Sequence, residues 1–307
     1  MRPGPTESSA VELSELGVLS VRGADALRFL QGQLSSDVMQ LAAERPQLAG
    51  YHNPQGRAIA VMRLAAAGAQ VLAVMPRELI EVVARRLSRF ILRAKVQLSD
   101  GSADWRVRGL VGPEAAARAD DARAIPIQVS HAPTRWVVLE PSAPGEVPLS
   151  SAPEPRTAWR LLDIAAGLPQ VYASTSEAFV AQMLNLDLLD AVAFSKGCYT
   201  GQEVIARAHY RGRVKRRMQR WRTLGRARLI PGDSGRLADG RLYRVVEAAQ
   251  HPDGRCEFLA VAPLDARAEA EPDAQATDPA QPLIEAEQLP LPYELPGHQG
   301  SGQGSLA

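Results

Sequence analysis

The run Lys196-Gly197-Cys198-Tyr199-Thr200-Gly201-Gln202-Glu203 sets a thiol beside an amine and two glycines, just ahead of the apolar-periodic segment Val204-Ile205-Ala206-Arg207-Ala208. The pattern is that of a loop leading into a helix. Thr200 and Glu203 have capping-box spacing, in which the threonine oxygen accepts from the Glu203 N–H and the glutamate reaches back to the Thr200 N–H. Cys198 then precedes the cap by two residues, near the positive end of the helix dipole, with Lys196 and Arg207 close in the chain. Each feature favours thiolate over thiol, which makes Cys198 a candidate reactive cysteine. The residues equally suit a plainer role, because free cysteine is among the most buried residue types and packs as a small hydrophobe.

Other side chains offer less. His52 and His209 lie near the motif regions, but a site of protein ligands alone needs about four groups. The chain has two cysteines and five histidines without a CxxC or HxxxH, so no resident metal is expected. Cys256, ahead of Phe258 and Leu259, has the setting of a core residue. Trp105, Trp136, Trp159 and Trp221 suit packing, although Trp159 precedes Ala166-Gly167-Leu168-Pro169 and is equally placed to serve as a ring platform.

At 307 residues and 46% hydrophobic, the chain has the length of two or three domains with a sizeable core. Two cysteines provide no disulfide framework, which fits a reducing compartment. The start Met1-Arg2-Pro3-Gly4-Pro5-Thr6-Glu7 lacks an apolar signal region, and no apolar run approaches membrane-spanning length, so a cytoplasmic protein without membrane contact is expected. The net charge of +1 conceals a division: from Asp265 onward eight acids stand against Arg267, a charge of −7 that leaves +8 elsewhere. Much of that excess falls between Arg207 and Arg228, where Arg211, Arg213, Lys215, Arg216, Arg217, Arg220, Arg222 and Arg226 accumulate without an acid. Such a run attracts polyanions, whether a polyglutamyl tail, phosphates or, weakly, tRNA. It also suits a solvated strand face, since no aromatic interleaving accompanies it.

These residues need elements to position them. Leu13 to Val21 predicts a strand, and Ala26, Leu27, Phe29, Leu30 and Leu34 a helix. A turn at Tyr51 to Arg57 precedes a hairpin of two buried strands, Ala58 to Leu64 and Val71 to Met75, broken at Gly68. Leu79, Val83, Leu87, Phe90 and Ile91 repeat at helical spacing, with Arg85, Arg86 and Arg89 on the solvent side. Strands at Ala94 to Leu98, Trp105 to Val111, Ile125 to Val129 and Arg135 to Leu139, with an Ala-rich helix after Gly112-Pro113, complete a ferredoxin-like alternation of an α+β domain. Prolines from Pro141 to Pro155 mark a linker, Arg156 to Ala166 a helix stopped by Gly167 and Pro169, and Phe179 to Leu189 has mixed periodicity. Short runs from Arg213 to Leu264 predict a small β domain, and the remainder to Ala307 has too little to bury and is expected to be disordered.

The octapeptide Lys196 to Glu203, continued through Ala206-Arg207-Ala208-His209-Tyr210-Arg211-Gly212 to Lys215-Arg216-Arg217, resembles the signature of the YgfZ-type folate-binding proteins, a family related by fold to the glycine-cleavage aminomethyltransferase. Phe29-Leu30-Gln31-Gly32-Gln33-Leu34-Ser35-Ser36-Asp37-Val38, Pro54-Gln55-Gly56-Arg57 and Ala166-Gly167-Leu168-Pro169 support it, over roughly residues 10 to 262. The resemblance implies ferredoxin-like subdomains around a central hole that receives a tetrahydrofolate, with a small C-terminal β-barrel. The implied division is 10–140 and 155–213 for the folate-binding subdomains, 214–263 for the barrel and 264–307 for an acidic tail. It implies an accessory factor in assembly or repair of iron-sulfur clusters, serving enzymes such as tRNA methylthiotransferases, with iron-sulfur proteins or cluster carriers as partners. Cys198 would be the required thiol, seconded by Lys196, and Tyr199, Gln202, Glu203, Arg207, Arg57 and Trp159 would contact the folate.

Against a transferase, the positions of the Asp pair that acts on the folate hold Ala60 and Val61, which carry no proton, and a pterin-binding Glu is replaced by Ala165. Ala181-Gln182 lacks the family's proline before the glutamine. A one-carbon transferase with altered chemistry, using Cys198 as nucleophile, is the alternative.

Overall fold

A strand tolerates an apolar run without alternation only when both its faces are covered. In the computed structural model, which describes residues 9–112, 123–142, 153–212, 214–265 and 282–296, the two apolar runs become β4 (Ala58–Ala67) and β5 (Gln70–Pro76), joined at Gly68 with φ +59°. With β2 (Leu16–Arg22), β3 (Gln47–His52) and β6 (Gln97–Asp100) they form an antiparallel sheet in the order β3-β4-β5-β2-β6. Helices α1 (Ala26–Gln31) and α2 (Ile80–Ser88) cover one face, packing Leu30, Val83 and Leu87 into a core with Leu19, Val21 and Ala73.

The opposite face, with Val18, Leu72 and Val74, packs against Val107, Val137 and Leu139 of a second sheet. That sheet runs β1-β7-β9-β8, from β1 (Ser9–Glu12), β7 (Trp105–Val111), β8 (Ile125–His131) and β9 (Thr134–Pro141). The single strand expected from Leu13 to Val21 is therefore corrected: a turn after Leu13 hands the chain from one sheet to the other. The Ala-rich helix expected after Gly112-Pro113 lies outside the described residues.

Helix α3 (Pro153–Ala165) ends at Gly167, whose φ of +64° suits glycine. The chain then runs mostly in turns, with one 3₁₀ turn at Ala181–Leu184, to helix α4 (Gln202–Tyr210). The C-terminal unit comprises β10 (Arg216–Arg226), β11 (Ser234–Leu237), β12 (Leu242–Gln250), β13 (Arg255–Pro263), β14 (Leu283–Ile284) and β15 (Ala286–Leu289). Its order is β14-β11-β12-β13-β10-β15. Because β14 and β15 are one continuous stretch of chain, they join the two edges and nearly close a barrel. The fold class is α+β, ferredoxin-like sheets followed by a small β-barrel.

The expectation of disorder from 264 to 307 is corrected for residues 283 to 289. Their backbone groups complete the sheet, and β15 lies along the basic strand so that Glu287 pairs with Arg222. Beyond it Tyr293 donates to the Gly167 carbonyl at 2.8 Å and accepts from Asn185 Nδ2 at 3.2 Å. A Cβ at Gly167 would sit 2.7 Å from that hydroxyl, so the helix stop and the tail fit each other. Tyr293→Phe removes both bonds and is expected to cost about 1 kcal/mol, a few degrees of melting temperature. An unchanged melting temperature would show that the hydroxyl does not hold the tail.

Candidate functional site

Three of the sequence motifs converge on one loop. Lys196 Nζ donates to the carbonyls of Leu34 (2.7 Å) and Ser36 (2.8 Å). The Ala193 N–H donates to the Ser35 carbonyl, and Ser35 Oγ donates to the Ala191 carbonyl while accepting from the Gly50 N–H. The segment 191–196 is thus laced to Leu34–Ser36. On the other side, Gly201 lies so close to the turn at Asn53 that a Cβ there would be 2.5 Å from the Asn53 carbonyl oxygen. Gly56 in turn faces Val204 and Ile205 of α4. Both glycines have positive φ, +83° and +71°, so glycine is required twice over.

This arrangement corrects the helix start. Gly201, in the left-handed region, takes the cap position, α4 begins at Gln202, and no side chain caps it. The Thr200–Glu203 capping box does not form, because Thr200 lies outside the cap. Glu203 remains in the first turn, where its charge complements the dipole.

Cys198 is exposed on this loop, unlike Cys256, which is buried in the barrel core. Lys196 is half-buried, and its burial pulls the ammonium down to about 8 against the opposing pull of Asp37. It lies 5.0 Å from the Tyr199 ring centroid. Tyr199 is buried, its hydroxyl has no hydrogen-bond partner, and burial pushes its pKa up to about 12.

The other residues marked in the sequence separate. Gln202 is half-buried at the start of α4, and Glu203 and Arg207 are exposed along it. Arg57 donates to the Ala178 carbonyl at 2.8 Å, a bond that ties the turn to the loop after α3. Trp159 is 4% exposed in the core between the two sheets, against Gly109 and beneath Arg135 at 4.9 Å. It also lines a narrow cleft with Arg63, Arg160 and Asp163. His209 stacks on Phe194 at 3.8 Å, and among the described residues no three His, Cys, Asp or Glu side chains come together as a metal site. In the acid-free run, Arg217 binds Asp187, Arg220 binds Glu257 and Arg222 binds Glu287, so these three cations are matched by carboxylates from elsewhere in the chain.

Two cavities flank the loop. The larger, about 780 Å³, is walled by segments 36–48 and 188–193, by β8 residues 127–130, and by Arg63 and Leu168. Ser36 and Gln47 line it, and each has a buried side-chain oxygen without a partner. Its volume falls in the range of small-molecule sites. The smaller, about 480 Å³, is lined by Tyr51, His52, Asn53, Arg85, Arg89 and Thr200, among others. Asn53 Oδ1 accepts from the N–H groups of Gln55 and Arg57, and Asn53 Nδ2 donates to Glu177, which also binds Arg86. Sequence reasoning passed over Arg63. Its signal is a lone charge inside the apolar run Ala58 to Leu64.

No protein-family model matches the chain. An uncharacterized protein of Haemophilus influenzae is 31% identical over 220 residues, 69% of this chain and 72% of that one. The tRNA-modifying protein YgfZ of Vibrio vulnificus strain YJ016 is 30% identical, covering 92% of this chain and 91% of its own, and that of strain CMCP6 is 29% identical over the same shares. Among solved structures, the glycine cleavage system aminomethyltransferase T of Bartonella henselae superposes with a TM-score of 0.62 at 15% identity, over 84% of this chain and 78% of that one. That likeness is one of fold. Among the described residues no helix is long and apolar enough to cross a membrane.

His52 supplies a pH test of the packing behind the loop. It is fully buried, its contact with the Gly50 backbone falls short of hydrogen-bond geometry, and burial lowers its pKa from 6.5 to about 4. The unfolded chain therefore binds the proton more readily. Stability from the neutral ring is complete above pH 6.5 and is lost as pH falls from 6.5 to about 4, a change of about 3 kcal/mol. Urea unfolding at pH 7 and 4.5 is expected to show a smaller acid loss in His52→Leu than in the wild type. Equal losses would contradict the assignment.

Proposed function

The chain belongs to the YgfZ family of tRNA-modifying proteins, and from that premise we propose that it is a folate-binding accessory factor for assembly or repair of iron-sulfur clusters, serving enzymes such as tRNA methylthiotransferases. One observation carries the reading: the exposed Cys198 follows directly on the segment 188–193, which forms one side of the 780 Å³ cavity and is tied to the Ser36 wall by Lys196. An exposed thiol on the loop that continues the cavity wall supports a reading in which cluster chemistry takes place near a bound small molecule.

The cavity fits a tetrahydrofolate by its chemistry. The unpartnered oxygens of Ser36 and Gln47 suit the N–H groups of a pterin, and Gln128 lines the same wall. Leu48, Leu168 and Val192 supply apolar wall for the rings. Lys196, held by two carbonyls, keeps the loop against the cavity instead of reaching for ligand. When bound, the folate supplies a reduced pterin able to carry a one-carbon group. Cys198, exposed on the loop, would ligate an iron of a partner's cluster through its sulfur.

The transferase alternative loses support from β4. Ala60 and Val61, where that chemistry needs an acid, are buried apolar core, and no carboxylate takes their place on the strand.

In cells lacking the gene, cluster-dependent tRNA methylthiolation is expected to fall, to recover with the wild type and to stay low with Cys198→Ser, while purified Cys198→Ser retains tetrahydrofolate binding. Full rescue by Cys198→Ser would overturn the assignment of the thiol.

A further inference from the structure

The wall of the larger cavity carries one buried guanidinium, that of Arg63. Arg63 is 8% exposed and lines both this cavity and a narrow cleft beside α3, where Trp159, Arg160, Asp163 and Glu247 lie. Among the described residues its guanidinium makes no hydrogen bond or ion pair. Asp163 is the carboxylate whose field supports it. That carboxylate already accepts from Arg135 Nη1 at 2.8 Å, and Arg135 is fully buried with Nε and Nη2 unpartnered. Asp163 thus holds Arg135 by a hydrogen bond and reaches Arg63 and Arg160 through its field alone.

An arginine does not relieve such a position by giving up its proton. A buried cation without a partner is costly, and the strongest remedy is a planar anion that takes two of its N–H groups. The carboxylates on the cavity wall do not supply it. Asp37 is taken by Gln31 and Gln40, in the field of Lys196, and Asp190 is exposed on the opposing segment 188–193.

Strand alternation sharpens the point. Residues two apart on β4 share a face, so Arg63 projects on the same side as Val61. Where the resemblance places a transferase's acid, this strand has an apolar residue followed by a cation on the same face.

We propose that Arg63 is the anchor for a carboxylate of the ligand in this cavity. The inference rests on the folate reading for the identity of that ligand, whose glutamate carries the carboxylates, but the anion site itself does not depend on it.

The test is calorimetric titration of the wild type, Arg63→Gln and Arg63→Lys with tetrahydrofolate and with its glutamate diamide, in which both carboxylates are amides. The wild type is expected to prefer the acid. Arg63→Gln should lose tenfold or more in affinity for the acid, as for a hydrogen bond to a charged group, and keep its affinity for the diamide. Arg63→Lys should keep part of the preference, which also shows that the position tolerates change. Equal losses for both ligands, or none, would overturn the role of Arg63 and leave the folate reading standing. If the wild type binds neither ligand, the folate reading fails, and titration with glutarate decides the anion site: binding by the wild type and not by Arg63→Gln sustains it, and no binding by the wild type overturns it.

Discussion

The structure depends on a buried ion pair. Arg217 of β10, 3% exposed, donates to both oxygens of Asp187 at 3.0 and 2.8 Å and to the Gln182 carbonyl at 3.1 Å. Beside it Asn185, in the left-handed region at φ 57°, donates to the Met218 carbonyl, and Gln182 donates to the Ile205 carbonyl of α4. Breaking such a pair by removing one partner costs about 3–5 kcal/mol, because a charge is left buried alone. The pair holds the barrel, the segment that walls the large cavity and the helix behind Cys198 in one register. A segment with almost no regular secondary structure needs such fixing, since its backbone has no ladder of its own.

From that anchor the functional surface follows. Segment 188–193 is pinned at one end by Asp187 and at the other by the bonds between Ser35, Ala191 and Ala193. Its run between them forms cavity wall, and its continuation carries Lys196 and Cys198. Lys196 is tied down by two carbonyls, while Cys198 two residues on is exposed. That division suits a protein proposed to hold a small molecule in place while offering a sulfur to something larger.

Much of this was legible in the residues. The unbroken apolar runs foretold a doubly covered sheet, and Gly201, Gly56 and Gly167 stand where close approach demands them. Two features were visible yet not joined: the basic run and the acidic tail were each noted, while their pairing through Arg222 and Glu287 needed the register of β10 and β15. The capping box failed for a local reason, since one glycine at positive φ shifts a helix start by a residue. Arg63 stayed hidden because a charge in an apolar run has meaning only when the covering face proves to be a cavity.

A crystal structure of the protein grown with saturating tetrahydrofolate tests the account most directly. Ligand density is expected between the β3–β4 face and β8, bounded by segments 36–48 and 188–193, with Cys198 outside it. Density elsewhere on the molecule, or an empty cavity at saturating ligand, would contradict it.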